Sequence, residues 1–125
     1  MKIKVRVFPS WEKGEFYWNI KAANGEIVAC SPQGFRYLPD AQREVMDFVS
    51  LRNGAKQAAD GPDLNGPPTG YQVFQGEDEQ WYWHYMSAMP SVGVIAKGAE
   101  GYASKGGCQE AVERMKTSTV EEPEP

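Results

Sequence analysis

Two stretches of the sequence resemble each other at an offset of 65 to 68 residues. Residues 15–20, Glu-Phe-Tyr-Trp-Asn-Ile, return as residues 80–85, Gln-Trp-Tyr-Trp-His-Tyr, and residues 25–29 return as residues 93–97. Further matches join Phe8 to Phe74, Gly34-Phe35 to Gly101-Tyr102, and Val45 to Val112. Because self-similarity at a fixed period marks a repeated structural unit, we predict two copies of one motif.

The length of the chain favours one domain that both copies share. A unit of roughly 50 residues buries too little surface to be more than marginally stable. We therefore predict a single, monomeric domain over residues 1–117, with copies at 3–54 and 71–117 joined by a Pro/Gly-rich linker at 55–70. The Pro- and Glu-rich residues 118–125 are predicted to be a disordered acidic tail.

Periodicity within the first copy changes from strand to helix. Ile3, Val5 and Val7 alternate with charged residues, and residues 15–22 and 26–30 form two more predicted strands around an Asn24-Gly25 hairpin turn. From the expected N-cap Asp40 to a stop at residues 53–54, the apolar positions recur at helical spacing. The order is therefore β-β-β-α.

The second copy follows the same order. Residues 71–75, 80–88 and 92–97 are predicted strands, and residues 107–116 form a helix with Cys108, Val112 and Met115 on its buried stripe. The predicted fold is α+β: two tandem β-β-β-α repeats in one continuous, six-stranded antiparallel sheet, with two helices on one face.

Charge is unevenly distributed over the chain. The net charge is −4, but residues 1–57 carry nine Lys/Arg against six Asp/Glu, whereas residues 58–125 carry four against eleven. An acidic protein binds duplex DNA poorly because phosphate neutralisation supplies most non-specific affinity. No apolar run approaches the roughly 20 residues of a membrane helix, and the N-terminus lacks a signal-peptide core. We expect a cytoplasmic protein without membrane contact.

Residues able to carry chemistry are few and scattered. His84 is the only histidine, and Cys30 and Cys108 have no metal-ligand spacing. No Gly-x-Ser-x-Gly elbow or phosphate-binding glycine loop is present, and the acidic residues 77–79 lack the pattern of a calcium loop. We therefore predict a non-enzymatic protein with no catalytic residue, metal site or cofactor.

Strand alternation divides the aromatic residues between two faces. Phe16, Trp18, Trp81 and Trp83 fall on the face that the helices must cover, and we assign them to the core. The opposite, open face is the candidate binding surface. Its predicted members are Lys4, Arg6, Tyr17, Asn19, Lys21, Tyr82 and His84, with Gln72 and Met86 beside them. The alternative is an ordinary solvated sheet face with two tyrosines.

These motifs together resemble the YegP-like family of small bacterial and archaeal proteins, whose domain has no assigned biochemical function. The similarity rests on the Phe-Tyr-Trp strand, the 24–29 hairpin, the Gly-aromatic step and the helix with a central valine. Residues 101–105, Gly-Tyr-Ala-Ser-Lys, are especially similar to the family's step before its helix. The resemblance implies a three-strand-and-helix motif present twice in one sheet, with helices exchanged between the halves.

Two functions remain open from the sequence. The first is a protein-interaction module without a cofactor, which uses the open face as a protein interface. The second is weak binding of single-stranded nucleic acid or a small ligand, because tyrosines beside cations can stack bases or flat molecules.

Overall fold

The computed structural model describes residues 1–53, 70–87 and 93–120, which form seven strands and two helices. The first half contains β1 (Lys2–Ser10), β2 (Glu15–Ala22), β3 (Ile27–Cys30) and α1 (Leu38–Leu51). The second half contains β4 (Gly70–Gln75), β5 (Trp81–Met86), β6 (Val94–Lys97) and α2 (Lys105–Lys116), and β7 (Thr119–Val120) follows it.

One sheet runs through both halves in the order β4-β5-β6-β3-β2-β1-β7. The two halves meet at an antiparallel β3–β6 contact, in which Cys30 lies opposite Lys97. The described sheet thus has seven strands rather than the predicted six, because β7 adds in parallel to β1 through the pairs Lys2–Thr119 and Ile3–Val120.

The end of the chain is a second departure from the sequence prediction. Residues 118–120 were assigned to a disordered tail, but Ser118 is buried and the next two residues form β7. The cause is Arg52, which is itself buried. Its Nε atom donates to the Ser118 hydroxyl at 2.9 Å and its second terminal nitrogen to the Ser118 carbonyl at 2.8 Å. Residues 121–125 and the predicted linker up to residue 69 lie outside the described part.

The residues of the turn between β2 and β3 explain its conformation. Gly25 has a φ of 88°, a conformation that glycine adopts without strain. The Asn24 side chain accepts a hydrogen bond from the Glu26 amide at 2.9 Å, which is the turn predicted for Asn-Gly. In the second half, Gly93 has a φ of 72° and closes a longer connection through its carbonyl to Ser87.

Both helices begin earlier than predicted. α1 starts at Leu38, with Pro39 in its first turn, so Asp40 lies inside the helix and is not its N-cap. Proline suits this position because its missing N–H would have no partner there. α2 starts at Lys105, and the Ser104 hydroxyl caps it by accepting from the Gly107 amide at 3.0 Å.

Phe48 of α1 occupies the centre of the core. Its ring stacks on Trp18 from the first half at 6.0 Å and on Trp83 from the second half at 6.3 Å. It also meets the edges of Tyr71 and Tyr85. Trp18 and Trp83 are buried as predicted, whereas Phe16 and Trp81 are only half-buried.

Helix placement differs from a reciprocal exchange between halves. α1 packs on β1 and β2 of its own half and extends over β6, whereas α2 packs mainly on β4 and β5. Both helices contribute to one continuous core on the same face of the sheet, and among the described residues neither helix packs on the other face, which we call the open face. Neither helix in the described ranges is long and apolar enough to cross a membrane.

Candidate functional site

A polar row crosses the open face of the sheet from one half to the other. Residues directly opposite each other on neighbouring strands point to the same face. The successive pairs are Arg6–Asn19, Asn19–Cys30, Cys30–Lys97, Lys97–His84 and His84–Gln72. Six side chains from six strands therefore form one continuous line.

This row corrects the repeat alignment by one residue. The sequence matched Ala29 with Lys97, but the strand pairing makes Cys30 the counterpart of Lys97, because Cys30 faces Asn19 as Lys97 faces His84. The paired residues Ile20 and Ala29 are nine positions apart and Tyr85 and Ala96 are eleven apart, a difference of two, whereas the sequence alignment assumed a difference of three. Since side chains alternate between faces, the one-residue change moves Lys97 onto the open face.

The first half of the open face is basic. Lys4 lies directly opposite Lys21, and Arg6 follows Lys4 on the same face. We call these three residues the basic cluster; they line a shallow depression of about 660 Å³. Their positional counterparts in the second half are Gly70, Met86 and Gln72, none of which carries a charge.

Each half also places one stacked aromatic pair beside the row. Phe8 and Tyr17 stack at 6.3 Å with an interplanar angle of 26°, and Phe74 and Tyr82 stack at 6.1 Å with the same angle. The Arg6 guanidinium lies 5.3 Å from the centre of the Phe8 ring, an arrangement favourable for a cation–π interaction.

The glycine of the Gly-aromatic step allows the chain to pass close to each tyrosine. A Cβ atom on Gly34 would lie 2.8 Å from the Tyr17 ring, and one on Gly101 would lie 2.9 Å from the Tyr82 ring. Both distances are too short for a real side chain. The motif glycines therefore hold the tyrosine rings in place from one side.

A groove of about 530 Å³ lies between the first aromatic pair and Lys97. Asn19, Cys30 and Ser31 line it, together with Lys13 at its hairpin end. Asn19 is 8% exposed, and its Oδ1 atom has no hydrogen-bond partner within residues 1–53, 70–87 and 93–120. The backbone N–H of Trp18 donates to the Ser31 hydroxyl at 3.3 Å, which ties the Ser31 side chain to β2.

The second half of the open face is closed by its own contacts. His84 Nε2 hydrogen-bonds Oε1 of Gln72, and burial lowers the pKa of the histidine below its ordinary value. The hydroxyl of Tyr82 donates to the carboxylate of Asp78, and this hydrogen bond raises the tyrosine pKa. His84 therefore stands where the first half carries the amide of Asn19, and a carboxylate accepts from the tyrosine hydroxyl in each half.

The structure separates the predicted site residues into two groups. The first group, on β1 and β2, is Lys4, Arg6, Tyr17, Asn19 and Lys21. The second group, Tyr82 and His84, lies on β5, which β6 and β3 separate from β2. Sequence reasoning missed Phe8, Cys30 and Lys97. Strand alternation through Lys4 and Arg6 already places Phe8 on the open face, but Lys97 required the correct register.

Among residues 1–53, 70–87 and 93–120, no group of three His, Cys, Asp or Glu side chains could hold a metal ion. Burial raises the pKa of the Cys30 thiol, an effect that nearby Lys97 only partly offsets, and burial raises the pKa of Cys108 to about 11. Both thiols are thus protonated at neutral pH, the unreactive form.

An antiparallel sheet covered by two helices on one face places the chain in a class of small α+β proteins with solved structures. It resembles the solution NMR structure of the UPF0339 protein SO3888 from Shewanella oneidensis, with a TM-score of 0.68 and 16% identity over 96% of this chain and 90% of that one. It also resembles the solution NMR structure of the protein of unknown function yegP from E. coli, with a TM-score of 0.65 and 15% identity over 95% and 87% of the two chains.

The sequence model of the family described as "Domain of unknown function (DUF1508)" matches residues 12–45, within the first half. The shared fold and this match confirm the predicted resemblance to the YegP-like family. No curated protein matches the sequence.

Proposed function

We propose that this protein is a non-enzymatic interaction module that binds an acidic segment of another protein through the basic cluster. The observation that carries the proposal is the placement of Lys4, Lys21 and Arg6 on the sheet face opposite the helices, with Arg6 beside the stacked Phe8–Tyr17 pair. Positive charge beside aromatic area is favourable for an acidic partner, because complementary potentials steer association and fix its orientation.

An exposed tryptophan supports a protein partner. Trp11, at the turn between β1 and β2, is 90% exposed. Tryptophan is enriched among the residues that dominate protein interfaces, because it buries a large apolar area with little loss of conformational freedom. Trp11 lies at the tip of the β1–β2 hairpin and the Lys4–Lys21 pair lies near its other end, about 20 Å away, so an extended segment of one partner can contact both.

Single-stranded nucleic acid, the second candidate, fits the charge distribution less well. The first half offers cations and stacked rings, which nucleic acids use. In the second half, the uncharged Gln72 and Met86 stand in place of Arg6 and Lys21. Apart from Lys97, positive charge therefore does not continue along the polar row for a strand of phosphates to follow.

The matching positions of the two halves support an origin from two copies of one β-β-β-α unit. Trp18 and Trp83 lie under Phe48, and Gly34 and Gly101 lie against Tyr17 and Tyr82. Only the first copy then carries the interaction surface. A monomeric, cytoplasmic protein is part of the same proposal.

The experiment compares two labelled probes by fluorescence anisotropy: a decapeptide of alternating glutamate and tyrosine, and decathymidylate. We expect the peptide to bind more tightly than decathymidylate, and we expect added salt to lower its affinity. The double variant Lys4→Glu/Lys21→Glu should reduce its affinity at least about tenfold, equivalent to about 1.4 kcal/mol.

The double variant Lys105→Glu/Lys116→Glu, which changes the net charge equally but on α2, is the control. Equal loss of affinity in this control would show that only net charge matters and would contradict a specific surface. Tighter binding of decathymidylate would favour the nucleic-acid candidate instead. Amide chemical shifts should move on residues 4–21 when the peptide binds.

A further inference from the structure

The groove beside Lys97 combines three features of a small-molecule site. Its volume of about 530 Å³ falls in the ordinary range of ligand pockets. The stacked Phe8–Tyr17 pair forms an aromatic wall, and Ile27 and Ala99 add apolar surface. Lys97 and Lys13 contribute positive charge.

The buried amide of Asn19 is the strongest indication of a ligand. Its Oδ1 atom accepts no hydrogen bond from the described residues, although the residue is more than nine-tenths buried. A buried acceptor without a partner costs about 1–3 kcal/mol relative to a satisfied one. Its neighbours across the strands, Arg6 and Cys30, do not satisfy it. Because this oxygen has less than 1 Å² of accessible surface, a donor group on a ligand reaches it when the Asn19 side chain rotates towards the groove that Asn19 lines.

The charge in the groove remains positive at neutral pH. Cys30 lies directly opposite Lys97, and its thiol does not neutralise the lysine because burial keeps the thiol protonated. The carboxylate of Glu15 accepts a hydrogen bond from the Tyr17 hydroxyl at 3.3 Å, on the side of the ring away from the polar row. A negative group on the ligand is thus favoured near Lys97.

We propose that this groove binds a small aromatic anion, with its ring against Phe8 and Tyr17, its negative group at Lys97 and a donor group at Asn19 Oδ1. Asn19 and Lys97 lie on strands separated by β3 alone, so their Cα atoms are about 10 Å apart. A single ring with groups at opposite ends spans this distance together with the lysine side chain. The site is distinct from the basic cluster and does not depend on a protein partner.

The probe is 4-hydroxybenzoate, which carries a ring, a carboxylate and a hydroxyl donor. Binding is measured by amide chemical-shift titration of the full chain. We expect saturable shifts at residues 19, 30 and 97. Two analogues test the parts separately: 4-methoxybenzoate lacks the donor, and 4-hydroxybenzyl alcohol lacks the charge. Each should bind at least about fivefold more weakly, since a hydrogen bond contributes about 1 kcal/mol.

Two variants test the residues. Lys97→Gln should weaken 4-hydroxybenzoate about tenfold but leave the uncharged analogue unchanged, because only the charge is lost. Asn19→Leu replaces the unsatisfied acceptor with an apolar side chain of similar size. It should raise the melting temperature of the free protein and abolish the difference between the hydroxy and methoxy probes, a combination that a purely structural asparagine would not give.

Lys21→Gln separates this site from the proposed protein interface. Lys21 belongs to the basic cluster but does not line the groove, so its loss should weaken the acidic peptide and leave 4-hydroxybenzoate unaffected. Lys97→Gln should weaken the binding of 4-hydroxybenzoate and leave the affinity for the acidic peptide unchanged. Absence of saturable shifts with every probe, or equal affinity for the hydroxy and methoxy compounds in the unaltered protein, would overturn the proposal.

Discussion

The indole Nε1 of Trp18 donates a hydrogen bond of 2.9 Å to Oε1 of Glu44 on α1. This contact holds a carboxyl group against the core. Burial raises the pKa of Glu44 to about 7, with a smaller contribution from the nearby charge of Asp47, although the indole hydrogen bond opposes the rise. Glu44 thus changes charge near neutral pH, unlike an ordinary surface glutamate.

Stability should therefore fall as pH rises through this range. An unfolded glutamate has a pKa near 4.5, so between about pH 4.5 and 7 the folded chain binds more protons than the unfolded chain. The free energy of unfolding should decrease over that interval and level off above it. Glu44→Gln keeps an acceptor for Trp18 without the charge, and urea unfolding across this pH range should show a flatter profile.

Because His84 also titrates, the test compares the pH dependence of the free energy of unfolding between the unaltered protein and the Glu44→Gln variant. Burial lowers its pKa below 6.5, so His84 makes stability rise with pH up to about 6.5, opposite in sign to Glu44. Both proteins contain His84, and its contribution cancels in the difference between their profiles. A difference that does not change between pH 4.5 and 7 would show that Glu44 titrates normally.

Trp83 is the counterpart of Trp18, but its buried Nε1 has no hydrogen-bond partner in the described structure. Glu44 precedes the buried Val45, and the residue that precedes Val112 on α2 is Ala111. The Trp83 Nε1 atom instead lies close to Gly98, since a Cβ atom on that glycine would be 2.5 Å from it. We expect Gly98→Ala to destabilise the protein in urea unfolding, whereas Gly106→Ala, where an added Cβ atom has open space, should not. Equal stability of the two variants would contradict this close approach.

Phe48 should be among the most costly residues to truncate. Phe48→Ala removes stacking on both Trp18 and Trp83 and should cost about 3–5 kcal/mol. Met46→Ala, on the exposed side of the same helix, should change stability by no more than about 0.5 kcal/mol. Urea unfolding followed by tryptophan fluorescence measures both. A small effect at Phe48 would mean that the two halves do not share a core.

The Arg52–Ser118 contact predicts a boundary for C-terminal truncation. A chain that ends at Thr117 leaves the Arg52 guanidinium without two of its hydrogen bonds and should lose at least about 2 kcal/mol, because a buried charged donor is costly to leave unpaired. A chain that ends at Val120 retains Ser118 and β7 and serves as the control. Equal stability of the two truncated chains would show that the contact is dispensable.

Sequence patterns predicted the elements better than their ends. Alternation at Ile3 and Val5, and the stripe through Val45 and Phe48, reported which faces are buried, because burial of apolar surface selects them. β7 was missed since two residues carry no periodicity. It exists because a distant buried arginine holds Ser118, and such a long-range contact leaves no local signal.

The residues of the candidate surface also divide into those whose position the sequence predicts and those that only the structure places. Lys4, Arg6 and Tyr17 were placed on the open face by alternation along single strands. Lys97 was not, because its face depends on where the chain shifts register after Tyr85. The unsatisfied Asn19 amide also depends on what surrounds it in three dimensions, and the sequence shows only that a polar residue interrupts an aromatic strand.

The pairing of Cys30 with Lys97 gives the sheet a mechanical weak point. Between β1 and β2 eight residue pairs hold the strands in register, whereas β3 and β6 are joined through this one pair in the described residues. Shear or twist between the halves will concentrate where the fewest backbone hydrogen bonds resist it. Since both residues line the groove, any such motion changes the width of the groove, and a molecule that bridges Asn19 and Lys97 would act as a brace across the seam.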